Sequence, residues 1–411
     1  MDSDVGSRIR AFREVAGLRA QELAARIDMD PTALSKIENG RRAVKSAELA
    51  RIADGLKVSA LALLEDAPLL SKLPLAARRA GQSITSGGAY DRLLSLSELH
   101  VVLADAGLPT SPSLAARPDV SGREWLDAAT EMAAFARDQL SVASTTSGDQ
   151  RFGALAEAIE DRFRVDVLVQ QFDGDPLSGA AVTDLAFPLL FVNSAFARPR
   201  SLFTLAHELG HVLLGHVDDG IALDRELASS TVIERMANAF AAIFLMDETV
   251  ILETLDHYGR RTPTIVNLAH RFGVSFETII YRLHNLHLID AAGRDTLMTF
   301  NWQQQLARLA SDPTSSGLTK PQVGQLQTRS TRKPGSRLPG LLVGRAHEGF
   351  LKGILSVRPL AGLLGEDPQE LLIRLSEVED FDEQRAQLDD ADLKREAEQE
   401  TSEEAFAGTP V

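Results

Sequence analysis

The sequence predicts a mainly α-helical chain of several domains with one small α/β part. Three observations lead there. Its 411 residues exceed a single compact core at roughly 150 residues per domain. Apolar residues recur at helical spacing from Val5 to Glu65 and, for the most part, across 66–150. Val165–Phe172 and Leu189–Val192 are β-rich instead, so an α/β unit begins near Phe152. Hydrophobic residues at 44% and charged residues at 25% are ordinary values for a chain that buries real cores.

Composition excludes several function classes. The formal charge is −15, from 58 acidic against 43 basic side chains, which taken whole excludes a basic nucleic-acid coat protein or a polybasic membrane binder. The charge is uneven. Residues 1–65 hold 11 Lys/Arg and 10 Asp/Glu, whereas 376–411 hold 13 acidic side chains against Arg385, Lys394 and Arg395. That acidic end is poor in apolar residues and reads as a disordered tail. There is no cysteine, so disulfides, thiolate metal sites and cysteine nucleophiles are excluded and a reducing cytoplasm is the expected compartment. Asp2, Asp4, Arg8, Arg10, Arg13 and Glu14 occupy the start, where a secretory signal would be apolar. No run of about 18 apolar residues is present, and no membrane association is expected.

Five short helices are expected in the first 66 residues. Ile9 and Phe12 share a face of the first, which stops near Gly17; Leu23, Ala24 and Ile27 share a face of the second. After the turn at Asp28-Met29, Asp30 can cap a third helix with Pro31 in its first position. That helix runs to Glu38. It buries Leu34 and Ile37 and presents Thr32, Ala33, Ser35 and Lys36, before Asn39-Gly40 ends it and Arg41, Arg42 and Lys45 follow. Leu49, Ile52, Ala53 and Leu56 line the fourth helix, and Leu61 and Leu64 the fifth. Two helices joined by a short turn, with small polar side chains on the outer face of the second and a basic pair beyond it, suit entry into a DNA major groove with phosphate contacts alongside.

Through Ala16-Gly17-Leu18, Gln21-Glu22-Leu23-Ala24, Leu34-Ser35-Lys36-Ile37-Glu38-Asn39-Gly40 and Leu49-Ala50-Arg51-Ile52-Ala53, this region resembles the Cro/cI-type (XRE) helix-turn-helix family. The resemblance implies a lambda-repressor-like fold and double-stranded DNA as partner, read by Thr32, Ala33, Ser35, Lys36, Arg41 and Arg42. Arg19-Ala20 replaces the usual Thr-Gln pair, and Asp28 the usual turn glycine. With so little net positive charge, one head neutralises few phosphates, and a homodimer would bind better.

Residues 67–150 read as a helical connector, including Arg92–Ala106 and a stripe of Trp125, Ala129, Met132, Ala133 and Ala136. Beyond the strands lies His207-Glu208-Leu209-Gly210-His211 within an amphipathic helix. Two His one turn apart reach one metal, and Glu208 beside them can take a proton from water there. A catalytic site needs a third protein ligand. His216 lies nine residues past His207, but the metzincin pattern wants its third His at ten, and Leu214 stands where that pattern wants Gly. Glu234 is the better candidate, on a second helix whose Met236, Phe240, Ile243 and Phe244 can pack on the first; Asn238, one turn on, can face the same site. Tyr258 or Tyr281 could supply an oxyanion donor, with nothing local to choose between them.

From Asn193 through Phe203-Thr204-Leu205-Ala206-His207-Glu208-Leu209-Gly210-His211 to Glu234-x-x-Ala237-Asn238-x-Phe240-Ala241, and on to Leu268-Ala269, Phe272, Val274-Ser275 and Arg282-Leu283, the chain resembles the ImmA/IrrE-type metallopeptidases. The resemblance implies a zincin-like (gluzincin-type) α/β peptidase domain, Zn2+ held by His207, His211 and Glu234, and limited proteolysis of a helix-turn-helix repressor or another such partner. Having both modules in one chain suggests self-cleavage or recruitment of the peptidase to a DNA-bound partner.

The expected order is a helix-turn-helix head (1–66), a helical connector (67–150), a zinc peptidase domain (151–310), a basic flexible linker (311–337), a small helical module (338–375) and the acidic tail (376–411). The alternative is a transcription factor whose zinc domain senses or docks and does not cut.

Overall fold

The structure is a computed structural model that describes residues 2–15, 18–56, 63–64, 88–109, 116–140, 150–175, 177–184, 187–216, 221–224, 231–329 and 332–376. The chain divides into two compact units, Met1–Arg345 and Ala346–Val411. Among the described residues no helix is long and apolar enough to cross a membrane.

The first unit begins with α1 (Asp2–Val15), α2 (Ala20–Arg26), α3 (Pro31–Glu38) and α4 (Ser46–Leu56). Ile9, Leu23, Leu34, Ile37 and Ile52 form the buried centre expected from their spacing. Asp30 caps α3 by accepting from the Ala33 amide at 3.0 Å, with Pro31 next to it. Between α1 and α3, Arg13 donates to Glu38 at 2.6 and 3.0 Å and to the Leu18 carbonyl at 2.8 Å. A fifth helix through Leu61 falls largely outside the described residues.

Asp28 takes φ 51. The turn therefore requires the left-handed conformation that glycine adopts without steric cost. Asp28→Gly is expected to raise the unfolding free energy of the head by roughly 0.5–1 kcal/mol. Thermal melts of the two forms check this.

Next come α5 (Ala89–Asp105) and α6 (Trp125–Gln139). α7 (Arg151–Phe163) ends on Arg164 at φ 56 and leads into β1 (Asp166–Gln170), followed by β2 (Gly179–Asp184) and β3 (Phe187–Asn193). Then follow α8 (Arg198–Leu214), β4 (Ile221–Asp224) and α9 (Val232–Leu245). The sheet order is β1-β3-β2-β4, with β1 parallel to β3 and the other pairs antiparallel. Val167, Val169, Ala181, Leu190 and Val192 face the same hydrophobic core as Leu205, Leu209 and Val212 of α8. Ala129, Met132, Ala133 and Ala136 of α6 lie in that core too, against α9. α6 is thus a wall of the same core as the sheet and α8, within the stretch expected as a helical connector. Its alanines allow the close helix approach.

The core is closed by α10 (Glu248–Tyr258), α11 (Thr262–Phe272) and α12 (Phe276–Asn285), which bury Leu268, Phe272, Ile279 and Leu283. α13 (Ala291–Met298) and α14 (Trp302–Ser311) follow. Much of the segment expected as a flexible linker carries regular structure among its described residues. A 3-10 turn (Pro313–Ser316) and α15 (Lys320–Arg329) pack on α14, burying Leu318, Val323 and Leu326 with Leu306 and Leu309. Composition is a poor guide here, because Lys320, Gln325 and Thr328 face solvent while the apolar residues turn inward.

Residues 332–345 then return to the sheet. Val169 and Arg337 exchange backbone hydrogen bonds of 2.9 and 2.8 Å along the free edge of β1. Arg337 pairs with Glu160, which also accepts from the Val167 amide at 2.9 Å. Asp166 accepts from the Leu341 and Leu342 amides at 2.8 and 3.1 Å, at the start of α16 (Gly340–Leu351). Burial and the nearby Glu160 push the Asp166 carboxyl up to about 7, against the two amides that favour its charge. The compact division falls after Arg345. The second unit contains α17 (Val357–Leu364), with Leu355, Leu360, Leu363 and Leu371 buried. The acidic tail lies outside the described residues from 377 onward.

Candidate metal centre

The centre is built where α8 crosses α9. Pro199 near its start and Gly215 at φ 72 bound α8, and its residues from Thr204 to Leu213 are buried throughout. The crossing is close because Gly210 has no side chain. A Cβ there would sit 2.8 Å from the Phe240 ring and 3.5 Å from the Ala237 Cα. Gly210→Ala is expected to cost about 1–2 kcal/mol, since the ring must move and the gain in helix propensity only partly offsets it. The same shift displaces Glu234 on α9, so weaker metal binding is expected with it. Denaturant unfolding and a divalent-metal titration on one preparation test both.

His207, His211 and Glu234 offer ligand atoms that all lie within 4.8 Å of one another, the group among the described residues that could hold a metal ion. The two imidazole Nε2 atoms are 3.0 Å apart. Glu234 Oε2 is 3.2 Å from His207 Nε2, and its Oε1 is 3.5 Å from His211 Nε2. Both imidazoles are fully buried while Glu234 keeps 20% of its side chain exposed, so the group opens on the Glu234 side. Thr231 caps α9 by accepting from the Glu234 amide at 3.2 Å, which holds the acid in the first turn. Burial works against the charged carboxylate, but the hydrogen bonds from His207 and His211 win and hold it well below the usual range.

Around these atoms lie residues that set their orientation. His207 Nδ1 is 3.1 Å from Asn238 Oδ1. An amide oxygen only accepts, so with a metal at the centre the His207 proton would sit on Nδ1 and leave the Nε2 lone pair for the ion. His216 is outside the ligand group. Its Nδ1 is 3.3 Å from His211 Nδ1 and its Nε2 is 3.0 Å from Met236 Sδ. Burial, then the neighbouring His211, lowers its pKa to about 4.

Glu208 is fully buried. Its carboxylate lies against β2 at Gly179, where a Cβ would stand 2.5 Å from Oε1 and 2.5 Å from Thr204 Cγ2. Nothing in the spacing of the sequence marks Gly179, because it stands alone before two alanines. Asn193 acts further off: it bonds both the amide and the carbonyl of Phe172 at 3.0 Å and takes the Ala195 amide at 3.0 Å, shaping the loops around β1 and β3. Neither tyrosine joins the centre. Tyr258 packs against Gly317, and Tyr281 is exposed.

On the head, Thr32, Ser35, Lys36 and Arg41 are exposed, Ala33 is half-buried, and Leu34 and Ile37 face inward. Arg42 differs from the expectation of a simple phosphate contact. It pairs with Glu48 at 2.6 Å, and Glu48 also accepts from the Lys45 amide at 3.1 Å. That amide and the Arg42 guanidinium hold the Glu48 carboxyl below its ordinary value.

Residues 160–284 match the family model described as the IrrE N-terminal-like domain, and residues 4–66 match one described as a helix-turn-helix domain. The radiation response metalloprotease IrrE of Deinococcus radiodurans is 40% identical over 101 residues, 23% of this chain and 30% of that protein. The protein of the same name from Deinococcus deserti is 34% identical over 99 residues, 23% of this chain and 35% of its own length. The matched region thus spans about a third of each relative. The chain therefore joins a helix-turn-helix domain to an IrrE-like metallopeptidase domain.

Proposed function

We propose that the protein is a DNA-binding transcriptional regulator that cleaves a repressor-type protein partner, or itself, at a zinc centre. The observation that carries this is the convergence of two Nε2 atoms and one carboxylate beside a buried Glu208 on the same helix turn. The donor set suits zinc: two imidazoles in one tautomer, one carboxylate, no thiolate, and an open side for substrate. His207, His211 and Glu234 would hold the ion. Bound there, zinc supplies the positive charge that acidifies water and polarises a peptide carbonyl.

The chain's own residues do the rest. Glu208 accepts a proton from the attacking water as the carbon–oxygen bond forms. It returns that proton to the amide nitrogen as the carbon–nitrogen bond breaks. Asn238 keeps His207 in the ligating tautomer. On the head, α3 enters the major groove through Thr32, Ala33, Ser35 and Lys36, while Arg41 and the Glu48-tethered Arg42 reach phosphates. A homodimer supplies a second head.

Two measurements test the reading on the full chain. Metal analysis followed by incubation with candidate helix-turn-helix proteins, read by mass spectrometry, should show zinc and chelator-sensitive cleavage. Zinc without any cleavage would leave a sensor or docking domain. A mobility-shift titration on DNA fragments should show binding that weakens as salt rises, and no salt-dependent shift would remove DNA as a partner.

A further inference from the structure

We infer that His216 is the positioning residue for His211, acting as the acceptor that fixes which of its nitrogens faces the metal, with Met236 as the backstop. The inference rests on the metal-centre reading above. It assigns a role to a histidine that the ligand group leaves out.

The argument is one of proton accounting. His211 turns Nε2 toward His207 Nε2 and Glu234, so its Nδ1 faces away from the centre, 3.3 Å from Nδ1 of His216. With a metal in the centre both Nε2 atoms are bare, so the Nδ1–Nδ1 contact is the one that holds a proton, and only one of its two nitrogens can donate. If His211 is to ligate through Nε2, its proton is on Nδ1 and it must donate outward. His216 Nδ1 is then bare, and the His216 proton is forced to Nε2. That atom lies 3.0 Å from Met236 Sδ, a weak acceptor that fits an N–H and offers no proton in return. With the opposite tautomer of His216, two N–H groups would face each other across the 3.3 Å gap, and a bare Nε2 would face a thioether with nothing to give.

The backbone holds the pair together. α8 ends at Gly215 with φ 72, and the His216 amide donates back to the His211 carbonyl at 3.0 Å. This left-handed turn swings the His216 ring alongside His211, the two centroids being 5.3 Å apart. Met236 lies two residues beyond Glu234 on α9. The chain of His211, His216 and Met236 therefore spans the same two helices as the ligands. Each ligating imidazole then has its own outward acceptor, Asn238 for His207 and His216 for His211.

The test compares three full-length variants by zinc competition against a chromophoric chelator and by the visible spectrum of the cobalt-substituted protein. His216→Leu removes the acceptor and His216→Asn restores an oxygen near the Nδ1 position. His216→Leu should weaken zinc by about 10–100-fold, the usual cost of losing an outer-shell partner, and should alter the cobalt bands. His216→Asn should recover most of the affinity, which a purely space-filling histidine would not predict. Met236→Leu should have a smaller effect in the same direction, and it serves as the second variant should His216→Leu unfold. Equal affinity of His216→Leu and wild type, or failure of Asn to improve on Leu, overturns the inference and leaves the metal-centre reading standing. A wild-type chain that binds no zinc overturns that reading and this inference together.

Discussion

On the proposed function, Glu208→Gln is expected to keep the bound metal and to lose peptidase turnover by about 10²–10⁴-fold, the range that one positioned proton acceptor contributes. The two side chains have the same shape, and the carboxamide fits the same space against Gly179 and Thr204. A carboxamide cannot accept the proton of attacking water. Glu208 is fully buried, so bulk solvent does not readily replace it. The expected signature is a fall in kcat with little change in KM, alongside equal zinc content by metal analysis. A variant that cleaves as fast as wild type would remove Glu208 from the mechanism. A variant that loses zinc would instead make Glu208 part of the support for the ligands.

The second large effect is on the head. Arg13→Met is expected to destabilise it by about 3–5 kcal/mol, the cost of leaving one member of a buried ion pair behind. Arg13 and Glu38 have side chains only 11% and 6% exposed, and Arg13 also holds the Leu18 carbonyl at 2.8 Å. Without the guanidinium, Glu38 stays at the end of α3 as a buried charge lacking its ion-pair partner. Since whole domains are stable by about 5–15 kcal/mol, such a loss is a large fraction of the total, and DNA binding should fall with it. Replacing both residues by Met and Leu should recover much of the stability, because a well-packed apolar pair often matches a buried ion pair. Denaturant melts of the single and double variants decide this. A single variant within about 1 kcal/mol of wild type would show that the pair is solvated, since an exposed ion pair contributes about that little.

Much of the centre was legible in the chain because helical spacing is a strong signal. His207 and His211 lie one turn apart, and Glu234 one turn before Asn238, so the helical period alone puts each pair on one face. The head was equally readable through Asp30-Pro31 and Asn39-Gly40, whose backbone demands are local. What was hidden depends on partners distant in sequence. β2 opens with Gly179-Ala180-Ala181, small residues chosen by the pressure of α8 on the sheet and lacking the β-branched stripe that announces a strand. β4 is only four residues long. The place of Glu208 against Gly179, and of Arg42 on Glu48, is set by the tertiary fold, since nothing in a one-dimensional pattern says which group a side chain will meet. The basic run after Thr319 misled for a related reason: charge counts describe the outer face of a helix and say little about the inner one.

The return of residues 332–345 to β1 bears on how the metallopeptidase-like domain can be cut from its parent. A fragment ending at 310, the boundary that composition suggests, would lose both α15 and the Arg337 guanidinium. Glu160 and Asp166 would remain as neighbouring buried acids, deprived of Arg337 and of the Leu341 and Leu342 amides, beneath a bare strand edge. Such a piece should be poorly soluble and prone to pair through β1 with its own copies. A fragment carried through Arg345 retains the cover. In inheritance terms, a recombination event that exchanges this peptidase between proteins would need to carry the distal 35 residues from 311 to 345 along with it.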